Sequence, residues 1–136
     1  MAKYDAYGTQ FKRGAVAVAQ ISNISGPSMS LDTEDVTTHD STGGWEEVVA
    51  TILRSGEVTL EIVYDPAAAT HKNAAGGVLA DIIGRASTTY SIVFPDAANT
   101  TWSFTAFCTG FEPGMPHDGA LTASVTYKLT GQPTLA

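Results

Sequence analysis

The sequence predicts a mainly β protein, a β-sandwich or partial barrel of about six or more antiparallel strands flanked by one α-helix. Three observations carry that expectation. Residues 56–66 alternate with period two: Val58, Leu60, Ile62 and Tyr64 fall on one side and Glu57, Thr59, Glu61 and Asp65 on the other, so one face is dry and one wet, with only Val63 out of step. Residues 101–111 and 121–130 repeat the pattern, with Trp102, Phe104, Ala106 and Cys108 on the apolar side of the first and Ala123, Val125, Tyr127 and Leu129 on that of the second. Turn residues punctuate these runs as hairpins require, at Pro95 and Asp96 and again from Pro113 to Pro116.

Taken in order, residues 1–14 hold Tyr4, Tyr7 and Phe11, interrupted by Gly8 and Gly14 and without a sustained period. They read as an extended arm, either a frayed terminus or, favoured because such side chains are costly to leave in water, one whose aromatics dock on a neighbouring subunit. Residues 15–136 are expected to form a single domain. Within it, 15–24 make a loose strand that ends at Ser25, Gly26 and Pro27, and 28–37 make a second, joined to the first most simply by a hairpin. Residues 38–55 then leave regular alternation for longer than a compact domain tolerates in an undecorated loop. Trp45, Val48, Val49, Ile52 and Leu53 match helical spacing there, opposite Glu46, Glu47 and Arg54, so a short helix is expected inside a flap jointed at Gly43 and Gly44 and anchored by Trp45. The strand at 56–66 follows, its exit set by Pro66, which cannot donate to a ladder. Ala75, Val78, Leu79, Ile82 and Ile83 share one helical face, giving a helix over about 70–83 that stops at Gly84. Gly76 and Gly77 weaken it by roughly 1 kcal/mol each relative to alanine. Strands at 88–94, 101–111 and 121–130 complete the chain.

Composition narrows function. The chain has 136 residues, enough to bury roughly 68% of its unfolded surface without a staple. Seven basic against 14 acidic residues give a net charge of −7, which argues against wrapping nucleic acid, because holding phosphate takes lysine and arginine. The lone Cys108 cannot close an internal disulfide, so nothing ties the chain to an oxidising compartment and assembly in a cytoplasm is expected. No leader-like N-terminus is seen, and no apolar run reaches the ~18 residues of a membrane span. Only 15% of residues are charged, which leaves much weakly polar surface suited to packing against copies of itself.

Motifs for chemistry are weak. His39, Asp40 and Ser41 are the side chains of a catalytic triad, but consecutive residues of an extended chain cannot face one another. No nucleophile elbow, phosphate loop or dinucleotide fingerprint occurs. His39 with Asp40, His117 with Asp118, and His71 supply metal-type ligands without metal-type spacing, so solvated loop polar groups are the reading and no cofactor is expected. Cys108 belongs to the apolar side of its strand and reads as a small buried hydrophobe.

Three stretches carry a family resemblance: Ile24 to Pro27, then 35–47 (Asp-Val-Thr-Thr-His-Asp-Ser-Thr-Gly-Gly-Trp-Glu-Glu), then 56–66 followed by Thr70 and His71. Together they resemble the major tail tube proteins of long, non-contractile-tailed bacteriophages, and the closing run 119–131 is similar as well, so the likeness covers nearly the whole chain. The resemblance implies the tail-tube fold, also found in contractile tails and in the tube protein of type VI secretion. It implies a structural role in the virion tail, not an enzyme: six copies form a ring, inner sheets join into a barrel, and stacked rings conduct double-stranded DNA without binding it stably. Implied partners are further copies, the tape measure protein, the tail terminator and the distal tail protein, with no membrane. No extra immunoglobulin-like domain is expected after Ala136. On this reading Tyr4, Tyr7, Phe11, His39, Asp40, Trp45, Glu46 and Val49 are candidates for contacts between subunits or rings. Glu57, Thr59 and Glu61 are candidates to face the lumen, with Asp32 and Glu34 extending the acidic band from a strand placed beside them. A terminator, connector or secretion tube of the same fold, or a β-sandwich ligand-binding module, are the other readings.

Overall fold

The computed structural model describes residues 3–136 and contains β1 (Gln10–Arg13), β2 (Val16–Ala17), β3 (Ile21–Ser25), β4 (Ser30–Asp35), β5 (Val48–Arg54), β6 (Glu57–Val63), α1 (Val78–Ile83), β7 (Thr88–Val93), β8 (Thr101–Gly114) and β9 (Thr122–Leu135). Among the described residues, seven strands form one antiparallel sheet in the order β2-β1-β7-β8-β9-β6-β3, while β4 and β5 form a separate two-stranded sheet. The alternation read from the sequence sets the faces: Val58, Leu60 and Ile62 on β6 and Val125 and Tyr127 on β9 are fully buried, and their registers match, Val58 with Tyr127, Leu60 with Val125 and Ile62 with Ala123. Each such side chain contributes about 1.5–3 kcal/mol by leaving water.

One sheet makes a core by rolling over its own dry face. Phe11 on β1 and Tyr127 on β9 have two strands between them, a separation of about 14 Å on a flat sheet. Their ring centroids are nevertheless 5.1 Å apart. The roll brings β1 against β3, giving a partial barrel filled with side chains instead of two packed sheets. Phe11 also lies 5.5 Å from Tyr90 and 6.2 Å from Phe104. It is therefore a core residue with no surface to offer a neighbour, and residues 10–13 are part of the sheet; the arm expected over 1–14 is shorter than its lack of periodicity suggested.

α1 packs on β8 and ties the roll with a polar contact. Asp81, 6% exposed, accepts hydrogen bonds from Arg13 Nε and Nη2 on β1 and, at 2.7 Å, from the Tyr90 hydroxyl on β7. Burying a carboxylate is costly unless it is paired and hydrogen-bonded, and here one carboxylate joins three elements. The helix is six residues long, not the span of about 70–83: residues 70–77 form turns, and Gly77, the N-cap, packs so closely on the Lys72 carbonyl that a side chain there has no room.

One expected pairing and one expected helix differ. Strands 15–24 and 28–37 do not form a hairpin; β3 pairs with β6, and β4 with β5. Residues 48–54 form a strand in place of the expected helix, since Val48, Val49, Ile52 and Leu53 fit β pairing as well as a helical stripe and Val and Ile favour strands. β8 and β9 run to 14 residues each, longer than expected, because each continues to pair with the other from Trp102 with Leu135 to Gly114 with Thr122.

Candidate assembly surfaces

The β4–β5 hairpin leaves the body where Ser55 and Gly56 join β5 to β6. Ser28 N–H donates to the Glu57 carbonyl and Ser28 Oγ accepts from Glu57 N–H, which pins the base of the hairpin to the sheet. Gly56 takes φ +79, and a Cβ there would meet the Ser28 carbonyl. All seven residues of β5 are exposed, among them Val48, Val49, Ile52 and Leu53, facing Leu31 and other residues of β4. A two-stranded ribbon is at best marginally stable alone, and one this apolar is a surface made to be covered.

Its tip is ordered by its own bonds. Ser41, 8% exposed, donates through Oγ to Glu47 Oε2 and accepts from Thr38 N–H; Glu47 N–H donates to Thr37 Oγ1 and Val36 N–H to the Glu47 carbonyl. Gly43 and Gly44, at φ +66 and +74, shape a short 3-10 turn, the conformation that glycine adopts without strain, in place of the expected joint. Trp45 follows, 78% exposed. His39, Asp40, Glu46 and Val49 share this hairpin, so the structure groups these sequence candidates on one projection. Ser41 organises the tip, a role that a serine six residues before a glutamate does not signal in the sequence.

The second surface is the wet face of the sheet. Glu57, Thr59 and Glu61 lie on it, as the alternation requires, with Glu57 and Glu61 exposed and Thr59 half-buried. Across the strands, Glu57 stands opposite Lys128, Thr59 opposite Thr126, and Glu61 opposite Ser124, which has Glu112 on its other side. The face is mostly hydroxyl with scattered charge, and Lys128 stands beside Glu57. Glu112, just beyond the strand expected over 101–111, extends the acidic row, while Asp32 and Glu34 do not, since β4 lies on the separate hairpin. There Arg54 Nε meets Asp32 Oδ2 at 2.7 Å, an exposed pair of little consequence for stability.

The third is a groove of about 790 Å³ between β3 and residues 4–9. Ile21, Ile24, Ile92, Phe94 and Leu135 give it an apolar floor, and Tyr4 and Tyr7, both well exposed, form its wall. No three metal-type ligands converge among the described residues. His71 is fully buried and used otherwise: Nδ1 accepts from Asp65 N–H and Nε2 donates to the Ala19 carbonyl at 2.6 Å, so it is the Nε2–H tautomer linking the strand exit to the β2–β3 connection. Burial pushes the Cys108 thiol up to about 12, helped by the charge of Asp81, which makes it inert at neutral pH.

The described residues thus form a rolled sheet with a filled core and a projecting apolar hairpin. Residues 3–136 match the family model of the lambda phage tail tube protein, and the chain belongs to that family. It is thus a structural component of a phage-type tail, not an enzyme. Solved structures agree in fold. A chain from the virion of a native gene transfer agent particle superposes with a TM-score of 0.78 at 16% identity, covering 98% of this chain and 99% of that one. A chain from the sheath/tube terminator of an extracellular contractile injection system gives 0.75 at 16% identity, covering 100% and 98%. One from the tail of an empty gene transfer agent particle, refined helically with C6 symmetry, gives 0.73 at 16% identity, covering 98% and 99%. No curated protein matches by sequence.

Proposed function

We propose that six copies of this chain close into a ring and that rings stack into a tail tube through which double-stranded DNA passes into the host cell. The observation that carries this reading is the β4–β5 hairpin: an apolar projection that nothing among the described residues covers. Six is the symmetry of the similar gene transfer agent tail. Residues 38–55, with Trp45, Glu46 and Val49 foremost and His39 and Asp40 at the tip, reach onto the adjoining ring, and Tyr4 and Tyr7 meet a neighbouring subunit. Glu57, Thr59 and Glu61, joined by Glu112, face the lumen, where a hydroxyl-rich surface with few cations gives phosphate little to hold. Assembly takes place in the host cytoplasm around a tape measure protein, with a terminator and a distal tail protein at the ends.

Similar chains include a tube terminator as well as tail chains, so a single capping ring is the competing reading. The family match over 3–136 favours the tube. Electron microscopy of the purified protein, with and without tape measure protein, separates them: a tube protein gives particles of repeating length, whereas single rings under all conditions reject polymerisation. Deleting 43–51 should leave a folded body whose rings do not stack; tubes of normal length from that variant would reject the role of the hairpin.

A further inference from the structure

We propose that Asp118 and Gly119, in the turn that joins β8 to β9, form a site of spontaneous covalent rearrangement at which aspartate becomes isoaspartate through a succinimide. Nothing in this step depends on how copies of the chain assemble. The Gly119 nitrogen attacks Cγ of Asp118, so that a C–N bond forms, a C–O bond of the carboxyl group breaks, and one water leaves. One water then adds back to the ring. Addition at Cγ restores aspartate, whereas addition at the main-chain carbonyl carbon leaves the backbone running through Cβ and Cγ. No oxidant, reductant or other reactant is consumed.

The step needs a nitrogen not held elsewhere, a carboxyl group not held elsewhere, and room for the two to meet. Residues 115–120 are all exposed, and among the described residues none of their atoms takes part in a hydrogen bond. Gly119 offers its nitrogen without a Cβ to crowd the approach. A Cβ there would come within 3.0 Å of the Pro116 ring, so the turn itself favours glycine and brings the reactive pair with it.

Every other aspartate and asparagine fails on one of these points. The carboxylates of Asp5, Asp35, Asp65 and Asp96 accept from the backbone N–H groups of Tyr7, Thr37, Ala67 and Thr100. Asp32 and Asp81 are held by Arg54 and Arg13. After Asp40, Asn73 and Asn99 the next nitrogen is already a donor: Ser41 to the Thr38 carbonyl, Ala74 to that of Lys72, and Thr100 to Asp96. Asn23 lies inside β3, crowded by the β-branched Ile24 that follows it.

Each event adds one carbon to the backbone and leaves the net charge as it was. Gly114 paired with Thr122, and the Tyr64 N–H donating to the Leu121 carbonyl, hold the base of the turn, so the added length is taken up within 115–120. Val63 stands opposite Thr122 and Glu57 opposite Lys128, which puts this turn at the far end of β6 from Gly56. Ageing therefore reshapes one end of the body and spares the β4–β5 hairpin at the other.

The test stores the purified chain beside its Asp118→Glu variant, warm and at neutral pH, and locates isoaspartate by mass spectrometry of proteolytic fragments and by methylation with an isoaspartyl methyltransferase. Glutamate keeps the charge but must close a larger ring, which forms far more slowly. Isoaspartate should accumulate at 118 at least about tenfold faster than at any other aspartate or asparagine, as an exposed and unbonded turn allows. The variant should lose most of the methyl acceptance, and the aged chain should keep the melting temperature of the fresh one. Unchanged Asp118 after storage, or equal rearrangement at Asp40 or Asn99, overturns the site. A melting temperature that falls on storage of the chain but not of the variant overturns the confinement of the change to the turn.

Discussion

Replacing Phe11 with alanine removes a ring held among Tyr90, Phe104 and Tyr127, and should cost about 3–5 kcal/mol in chemical denaturation of the monomer. Deleting only residues 1–8 should leave that transition nearly in place while reducing assembly, a contrast that separates the buried aromatic from the exposed Tyr4 and Tyr7. Cys108 makes a pH prediction. Its thiol is pushed from 9.0 up to about 12 by burial, so above pH 9 the unfolded chain releases a proton that the folded chain keeps. Stability from this group is complete below pH 9 and is lost as the pH rises toward 12. Tyr90 and Tyr127, raised from 10.0 by burial first, act in the same direction. Melting temperature should therefore fall steadily above pH 9, with Cys108→Ala flattening the first part of the fall; a curve flat to pH 11 would contradict the buried thiol and phenols.

Elements in this protein are held by their junctions as much as by their own periodicity. Gly56 is where the hairpin meets the sheet, at a φ that other residues adopt with strain and beside the Ser28 carbonyl, so Gly56→Ala should destabilise by about 1–3 kcal/mol. It should also turn the hairpin away from its contact, so loss of stacking should exceed what the change in stability explains; sedimentation of assembled material beside a thermal melt checks this. The helix shows the same dependence. Its apolar stripe was legible from Ala75 onward, but the tight packing of Gly77 on the Lys72 carbonyl confines α1 to six residues.

For the whole molecule, the wet face predicts how charge acts on passing DNA. Glu61→Lys with Glu112→Lys, on either side of Ser124, should leave tubes that assemble but release DNA slowly, with the defect relieved by added salt because phosphate contacts are screened. Glu57→Lys is a poorer probe, since it sets two lysines opposite each other across β6 and β9 and weakens that pair by about 0.2–1 kcal/mol. Normal release from the double variant, or an electron-microscopy map with Glu61 on the outside of the tube, would remove this face from the lumen.

Much of this was written in the sequence. Alternation in 57–62, 101–106 and 122–129 determined which side chains face the core, because in a strand the face is fixed by parity alone. The same local rule put Glu57 and Glu61 on the wet side and Cys108 in the core. Neighbours were another matter. Whether β3 pairs with β4 or with β6, and whether Asp32 stands beside Glu57, depends on contacts far apart in the chain, and local turn signals at Ser25, Gly26 and Pro27 do not encode them. Phe11 looked unplaced because its partners lie about 80 to 115 residues away and meet it only once the sheet has rolled. Val48 to Leu53 fit two periods equally, and the choice of strand was made by pairing with β4. Periodicity determined the faces; tertiary structure decided their order and closure, since backbone pairing and the curl of a sheet are properties of strands together.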